Sequence, residues 1–261
     1  MRILTFLSDF GGRSPYPAAM KGAAASVVSC AVSFVDISHD VPARDIRTGA
    51  YLLWSAAPAF PAGTVHCAVV DPGVGTVRAP LAVLSGGQWF VGPDNGLLMP
   101  AAHRLGVPMA VRLAEPSEAR ASETFHGRDV FAPAAARLAC AVPVESLGTP
   151  AAAVVDAEFP SGRRADGVLE GEVLWVDPFG NVITTIPGAL LHDAALASEW
   201  LVAVGGAELR AVVARTFGDV RPGHAAVLVG SDGVVEVAIN CGSAAAAMGA
   251  APGAVVRLRP A

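Results

Sequence analysis

The sequence is poor in charged residues and almost without lysine. Charged side chains occupy 16% of the 261 positions, Lys21 is the one lysine, and the formal net charge is −5. Proteins that bind nucleic acid or an anionic membrane surface carry clusters of Lys and Arg, and this sequence has no such cluster. We therefore exclude nucleic acid and membrane surfaces as partners and expect a small-molecule ligand.

Long apolar runs are missing as well. Hydrophobic residues make up 53% of the chain, but the excess is mostly alanine and valine. No window approaches the roughly 18 uninterrupted apolar residues of a membrane-spanning helix. The first residues carry one basic side chain and an apolar run too short for a signal peptide. We therefore expect a cytoplasmic protein without a transmembrane segment.

Cysteine and ligand-binding fingerprints are scarce. The four cysteines are far apart in apolar surroundings, without the close pairs of metal or redox motifs; they are Cys30, Cys67, Cys140 and Cys241. We expect buried free thiols. The sequence also lacks His-x-x-x-His spacing and a Gly-x-Gly-x-x-Gly loop, so it predicts neither a metal centre nor a dinucleotide site.

Strand-like and helix-like segments alternate over the first 150 residues or so. The predicted strands are 2–7, 32–37, 64–70, 81–84, 88–91 and 111–113, and the predicted helices are 20–28, 45–55, 97–105 and an Ala-rich segment before 138. The predicted 81–91 segment is a hairpin around two glycines. Such alternation is typical of a mainly parallel sheet sandwiched by helices. We assign residues 1–160 to an α/β domain.

The second half has a different pattern. A polar stretch with Pro and Gly over 159–167 is typical of a linker. Short β-like runs with Gly or Asn turns follow, at 171–176, 182–186, 200–204, 211–217, 225–229, 234–239 and 254–258, and only 244–248 shows helical pattern. We assign residues 168–261 to a small antiparallel β domain resembling a barrel.

Polar side chains follow four predicted strands of the first half. These clusters are Ser8-Asp9, Ser38-His39-Asp40, Asp71 to Arg78, and Asp94-Asn95, while a fifth, His126 to Asp129, precedes a helix. Loops at the carboxyl ends of parallel strands share one rim of the sheet, so these side chains are expected to converge there.

Each cluster also has a plain structural interpretation. Asp-Pro-Gly at Asp71 and Asp-Asn-Gly at Asp94 are ordinary turn sequences. Asp9 is also compatible with shaping a turn and His39 with a position next to a helix N-cap. His126 is compatible with a hydrogen-bonded loop position, and Lys21 with a solvated helix.

Seven motifs taken together, in order and over about residues 3–258, resemble the S-adenosyl-L-methionine hydroxide adenosyltransferase family, whose relatives are the fluorinase and chlorinase enzymes. They are Ser8-Asp9-Phe10-Gly11, Met20-Lys21-Gly22, Asp36-Ile37-Ser38-His39, Val69 to Gly75, Gly92 to Gly96, Thr124 to Asp129, and Asp177 to Asn181.

The resemblance implies an enzyme that hydrolyses S-adenosyl-L-methionine at the ribose C5′, giving adenosine and L-methionine. It places the family's Asp, Arg and His on Asp71, Arg78 and His126, with water rather than halide as nucleophile. It implies no cofactor, since S-adenosyl-L-methionine is the substrate. It also implies a homotrimer with each site between the α/β domain of one subunit and the β domain of its neighbour.

The resemblance also implies binding residues. The ribose hydroxyls fall to Asp9, the methionine amine and carboxylate to Asp177, Asn181 and Ser231, and the adenine to Phe179 and the Ile239-Asn240-Cys241 backbone. Two positions depart from the halogenating relatives, with Asp232 in place of an arginine and Ile183 in place of an aromatic residue.

Two alternatives stay open at the level of sequence. The first is a halide-using adenosyl transferase of the same fold. The second is a non-catalytic protein that binds adenosine or S-adenosylmethionine.

Overall fold

The computed structural model describes residues 2–114, 122–194 and 199–261. The chain divides into two compact units, Met1–Glu158 and Phe159–Ala261. No helix within the described residues is long and apolar enough to cross a membrane.

The first unit is a seven-stranded sheet with helices against it. Its strands are β1 (Arg2–Ser8), β2 (Val32–Ser38), β3 (Val65–Val69), β4 (Pro80–Ser85), β5 (Gln88–Pro93), β6 (Met109–Leu113) and β7 (Gly148–Pro150), and its helices are α1 (Tyr16–Ala25), α2 (Ile46–Ala56), α3 (Met99–Leu105) and α4 (Ala132–Ala139). The strand order is β2-β1-β3-β5-β4-β6-β7. The four strands from β2 to β5 in that order run parallel, and the remaining pairings are antiparallel.

The parallel strands form the centre of the core. Every residue of β3 is buried, which explains why its sequence is apolar apart from His66. Helices α1 and α4 pack on each other, as do α2 and α3. The helix pair α1 and α4 shares one hydrophobic cluster with the sheet, through residues such as Met20, Phe131 and Leu4. The predicted α/β fold is therefore confirmed.

Two helix starts show where capping rules act. Helix α2 begins after Asp45, whose side chain accepts a hydrogen bond from the Thr48 N–H, as a capping carboxylate does. Helix α1 begins at Tyr16 rather than near Met20, and Pro17 therefore lies in its first turn instead of preceding the helix. The first-turn N–H groups have no partner within the helix, so proline is tolerated there.

The expectation of four free thiols is wrong. Cys30 and Cys140 form a disulfide, with their Cα atoms 5.7 Å apart and a sequence separation of 110. The pair joins the segment after α1 to the end of α4, and the packing of these two helices brings the sulfurs together. Cys67 is buried and free, as expected, whereas Cys241 is free but exposed.

The second unit is a closed β-barrel. Its elements are β8 (Arg163–Ala165), β9 (Val168–Val176), β10 (Val182–Pro187), α5 (Gly188–Ala194), β11 (Glu199–Val204), β12 (Ala207–Val213), β13 (Ala225–Val229), β14 (Val234–Ile239), α6 (Ala244–Met248) and β15 (Val255–Pro260). The sheet order is β10-β14-β13-β12-β11-β15-β9-β8, and pairing of β9 with β10 closes a ring of seven strands. The barrel interior is lined by apolar side chains, with Trp200 the largest. The prediction of a barrel-like β domain is confirmed.

Three details of the barrel differ from the sequence prediction. Strands β12 and β13 pair in parallel, and a sequence pattern carries no information on strand direction. Strand β8 lies inside the polar stretch that suggested a linker and pairs with β9. Helix α5 was missed because its seven residues are too few to show a helical period.

Candidate active site

Asp71 lies just beyond the buried end of β3, in a tight turn. The side-chain amide of Asn95 donates to the Val70 carbonyl over 2.9 Å, which ties this turn to the loop after β5. Gly75 has φ +77°, and a Cβ there would lie 3.0 Å from the Glu123 carbonyl. A side chain at position 75 would therefore be both strained and crowded, which explains the glycine.

Asp71 and Arg78 form a buried ion pair across this turn. The Arg78 Nε lies 3.0 Å from each Asp71 carboxylate oxygen, and a second guanidinium nitrogen also donates to Oδ2. Only 5% of the Asp71 side chain and 9% of the Arg78 side chain are exposed. The ring of Phe131 lies under the guanidinium, 5.1 Å from Cζ. The two charges therefore compensate each other at a fixed geometry.

His126 joins this pair through its ring. The Arg78 NH2 group lies 2.9 Å from His126 Nδ1. Arginine is always a donor, so Nδ1 must accept this hydrogen bond, and a neutral ring then carries its proton on Nε2. Asp71, Arg78 and His126 are thus one connected cluster, although His126 follows Arg78 by 48 residues.

The turn after His126 packs tightly on the loop after β1. Gly127 begins a single π-helical turn, Gly127–Phe131, that runs into α4. A Cβ on Gly127 would lie 3.3 Å from both Phe10 and Met20, so glycine allows this close approach without displacing either side chain. Strand pairing also brings the loop after β1 close to the loop after β3, because Ser8 of β1 pairs with Val69 of β3. Asp9 and Asp71 therefore end adjacent strands, as predicted.

An aromatic cluster borders His126. The rings of Phe10, Tyr16 and Phe125 contact one another edge to face, with centroids 5.3 to 5.8 Å apart. Tyr16 is 51% exposed. Tyr16 was not predicted, and its one signal in the sequence is an aromatic residue between two prolines.

Arg128 and Asp129 pair with each other rather than with the cluster. Arg128 donates to both Asp129 oxygens over 2.6 and 2.8 Å, and the Ser122 N–H donates to the same carboxylate. The hydrogen bond from Arg128 holds the pKa of Asp129 below its ordinary value despite opposing desolvation. These two residues therefore fix the loop that carries His126.

The Asp9 carboxylate is held by the neighbouring loop. The Arg44 N–H donates to Asp9 Oδ2 over 2.8 Å. Arg44 has φ +67°, a backbone conformation that non-glycine residues seldom adopt. The loop after β2 therefore holds the Asp9 side chain at the rim of the sheet where Asp71 also lies.

In the second unit, Asp177 to Asn181 forms a closed turn between β9 and β10. Asp177 Oδ1 accepts from the N–H groups of Phe179 and Asn181, and Oδ2 accepts from the Asn181 side-chain amide. Gly180 has φ +84°, and a Cβ there would overlap Ser243. The Asp177 carboxylate is thus engaged within its own turn.

A cavity of about 690 Å³ opens beside this turn. It is lined by Phe179, Asn181, Phe217, Ile239, Asn240, Cys241, Gly242 and Ser243. Phe179 and Phe217 are exposed by 79% and 46%, so both rings are accessible for stacking against a planar ligand. Five predicted binding residues therefore meet at one cavity.

Phe217 was missed and Ser231 does not lie at this cavity. The sequence placed Phe217 at the end of a strand, but that strand ends at Val213 and Phe217 lies in a short 3₁₀ turn. Ser231 lies in the turn before β14, whereas the cavity is formed at the opposite end of that strand, by Ile239.

Glu236 lies between these two ends of β14. It is partly buried, and burial, together with the nearby Asp177 and Asp232 carboxylates, raises its pKa. Among the residues that the structure describes, no group of three or more His, Cys, Asp or Glu side chains has the arrangement of a metal site.

Comparison with known proteins covers both units. Models of the SAM hydroxide adenosyltransferase N-terminal and C-terminal domains match residues 4–148 and 171–257. The chain is 44% identical to the (R)-S-adenosyl-L-methionine hydrolase of Thermus thermophilus, over 99% of this chain and 100% of that protein. It is 28% identical to a fluorinase of Actinopolyspora mzabensis over 70% of this chain and 71% of that one. The solved structure of a conserved Thermotoga maritima protein superposes with a TM-score of 0.92 and 34% identity, covering 98% of this chain and 99% of that one.

Proposed function

The chain belongs to the SAM hydroxide adenosyltransferase family, and we propose that it hydrolyses (R)-S-adenosyl-L-methionine at the ribose C5′ to adenosine and L-methionine. The name of the 44% identical relative from Thermus thermophilus supplies the configuration at sulfur, which the sequence motifs do not specify. The observation that carries the proposal within the molecule is the connected Asp71, Arg78 and His126 cluster.

The reaction is a displacement at carbon. The oxygen of water forms a bond to C5′, the bond between C5′ and sulfur breaks, and its electron pair goes to sulfur, which becomes the neutral thioether of methionine. One proton of the water is released to the solvent. The charge on sulfur disappears as the bond breaks. A site that holds the water oxygen in line with the bond between C5′ and sulfur accelerates this step.

We assign each residue of the cluster a role that its hydrogen bonds allow. Arg78 places a permanent positive charge beside the nucleophile and stabilises developing hydroxide. His126 accepts from Arg78 at Nδ1, so its Nε2–H donates to the attacking oxygen and orients it. Asp71 holds the guanidinium in position through both of its oxygens.

The substrate-binding roles follow the same reasoning. Asp9 accepts hydrogen bonds from the ribose hydroxyls, and Phe179 and Phe217 stack on the adenine at the 690 Å³ cavity. Within 239–241 we assign the adenine edge to the Cys241 backbone, because the Asn240 N–H and the Ile239 and Asn240 carbonyls already bond to His224, Gly242 and Gly223. Asn181 and Ser231 remain candidates for the methionine portion, and Asp177 acts there by holding Asn181 in place.

We further propose a homotrimer in which a neighbouring subunit completes each site. Two apolar side chains beside the candidate residues are exposed, Val77 fully and Phe179 by 79%. Their burial by a neighbouring subunit would support this assembly. Sedimentation equilibrium tests the assembly. Mixing Asp71→Ala subunits with Phe179→Ala subunits then tests the shared site, since mixed trimers would regain activity.

We also propose that the enzyme acts in the cytoplasm and needs no metal or other cofactor. Dialysis against EDTA leaves turnover unchanged under this proposal. Disulfides are rare in the reducing cytoplasm, so the Cys30 to Cys140 pair gives the location a direct test. Trapping free thiols in intact cells, with fractionation, reports both the redox state and the compartment.

The test of the function is product analysis. Purified protein is incubated with separated (R) and (S) epimers of S-adenosylmethionine, and the products are resolved by chromatography. Adenosine and methionine in equal amounts, formed faster from the (R) epimer, support the proposal. The same reactions with fluoride or chloride test the halide alternative, which predicts 5′-halo-adenosine. Binding without release of methionine supports a non-catalytic protein.

A further inference from the structure

A hydrogen-bond chain that runs from the surface into the core ends at the loop that carries Asp9. His39 Nδ1 lies 2.7 Å from the Ser8 hydroxyl, and His39 Nε2 lies 3.1 Å from Asp36 Oδ1. The other Asp36 oxygen accepts from Lys21 Nζ over 2.5 Å. Ser8 is fully buried and His39 is 8% exposed. Lys21, Asp36, His39 and Ser8, here called the His39 network, thus connect α1, β2 and β1.

The His39 network has the composition of a serine-hydrolase triad but not its function. A nucleophilic serine must reach a substrate, and Ser8 has no exposed surface. Its oxygen also lies 3.4 Å from the Phe10 N–H, in position to accept from it. Ser8 therefore acts on its own loop rather than on a ligand.

For a neutral His39 ring, chemistry fixes the direction of each hydrogen bond in the network. A carboxylate only accepts, so His39 donates from Nε2 to Asp36. Nδ1 of the neutral ring then accepts from the Ser8 hydroxyl, which in turn accepts from the Phe10 N–H. The bonds run without a break from the Lys21 ammonium to the backbone that follows Asp9.

The same histidine also binds this loop through its backbone. The Gly11 N–H donates to the His39 carbonyl over 2.7 Å, and the Gly12 N–H donates to Asp40 Oδ1 over 2.8 Å. Residues on both sides of Asp9 are therefore attached to the strand end that carries His39. Hydrogen bonds from Lys21 and His39 outweigh the effect of burial and hold the pKa of Asp36 below its ordinary value, so the network's acceptor stays ionised.

We propose that His39, held by Asp36 and Lys21, is a positioning residue that sets the Asp9 carboxylate for the two hydroxyls of the substrate ribose. This inference rests on the proposed function, because it takes the ligand of Asp9 to be a ribose diol. It adds a residue that touches no substrate and acts through the loop it anchors.

The test compares two nucleosides that differ only at the ribose hydroxyls. Calorimetry measures the binding of adenosine and of 2′,3′-dideoxyadenosine to the full-length protein. Wild type binds adenosine more tightly, and His39→Ala reduces that preference by about tenfold, the value of a hydrogen bond to a charged group. Binding of the dideoxy nucleoside changes less than twofold. Asp9→Ala removes the preference, and the double variant shows no further loss.

Two further variants keep the test decisive. His103→Ala is the matched control, because His103 pairs with Asp156 and Glu158 elsewhere in the first unit; it retains the full preference. Should His39→Ala fail to fold, Asp36→Ala takes its place, since Asp36 is 42% exposed and its removal still frees His39 Nε2. It reduces the preference at least threefold.

Each other outcome has a distinct meaning. Wild type that binds neither nucleoside contradicts the proposed function itself. Wild type that binds both equally removes the ribose role of Asp9 and this inference with it. A His39 variant that keeps the preference, or that weakens both nucleosides equally, refutes positioning while leaving the proposed function standing.

Discussion

Replacement of Arg78 by lysine is the sharpest perturbation of the proposed cluster. Lysine keeps the positive charge opposite the buried Asp71 carboxylate, so the large penalty of an unpaired buried charge is avoided. Its ammonium is a point charge without the planar fork, however, and cannot hold Asp71 bidentately while also donating to His126. The change therefore isolates the geometry from the charge.

The structure sets the expected size of this effect. One hydrogen bond, from the Arg78 NH2 to His126 Nδ1 over 2.9 Å, is lost. Hydrogen bonds to charged groups contribute about 1.5–3 kcal/mol. At about 1.4 kcal/mol per factor of ten, Arg78→Lys lowers kcat/KM roughly 10- to 150-fold. Binding of adenosine, which does not use the nucleophile's position, changes little.

The assay follows methionine release under initial-rate conditions, with melting temperature and adenosine affinity measured in parallel. Arg104→Lys is the matched control, because Arg104 stacks on Trp54 at 3.7 Å and lies outside the proposed cluster. It retains wild-type kcat/KM. Wild-type turnover in a folded Arg78→Lys protein would refute the assigned role of the guanidinium fork.

Three other predictions concern stability and adenine binding. Glu236 has a raised pKa in the folded chain, so its ionisation opposes folding above that pKa and has no cost below its ordinary value of 4.5. Glu236→Gln therefore raises the melting temperature at pH 7. A gain in melting temperature that persists at pH 4 contradicts this prediction. The disulfide between Cys30 and Cys140 spans a sequence separation of 110, so the double serine variant loses up to about 5 kcal/mol of unfolding free energy. Cys241→Ser is the neutral control. A wild-type melting temperature that reductant does not change contradicts a stabilising role of the disulfide. Phe217→Ala weakens adenosine binding by about 1–3 kcal/mol, the usual value of one base-stacking ring, and an unchanged Kd removes Phe217 from the adenine site.

The strand-end residues of the first unit were predictable because the strands before them run parallel and therefore end at one rim of the sheet. A buried strand that runs into Asp71 must present that residue at the rim, and β1 is its neighbour, so Asp9 arrives beside it. The link from Arg78 to His126 was expected only from the resemblance. Its geometry depends on how Gly127 packs against Phe10, which no local pattern encodes.

Other features depend on packing between distant segments. Cys30 and Cys140 meet because α1 and α4 lie together, and neither cysteine stands in a recognisable motif. Phe217 was misplaced because alternating residues after Val213 continue a strand-like pattern where the chain already turns. Ser231 lies away from the cavity because it precedes β14, whereas the cavity is formed at the far end of that strand, and the resemblance assigns Ser231 to methionine rather than to adenine.

Hydrolysis at C5′ by water is tested most directly with labelled solvent. The (R) epimer of S-adenosylmethionine is incubated with the protein in ¹⁸O-water, and both products are examined by mass spectrometry. We predict one ¹⁸O atom in the 5′-hydroxyl of adenosine and none in methionine. Unlabelled adenosine, a 5′-halo-adenosine, or cleavage to methylthioadenosine would contradict attack of water on the ribose carbon.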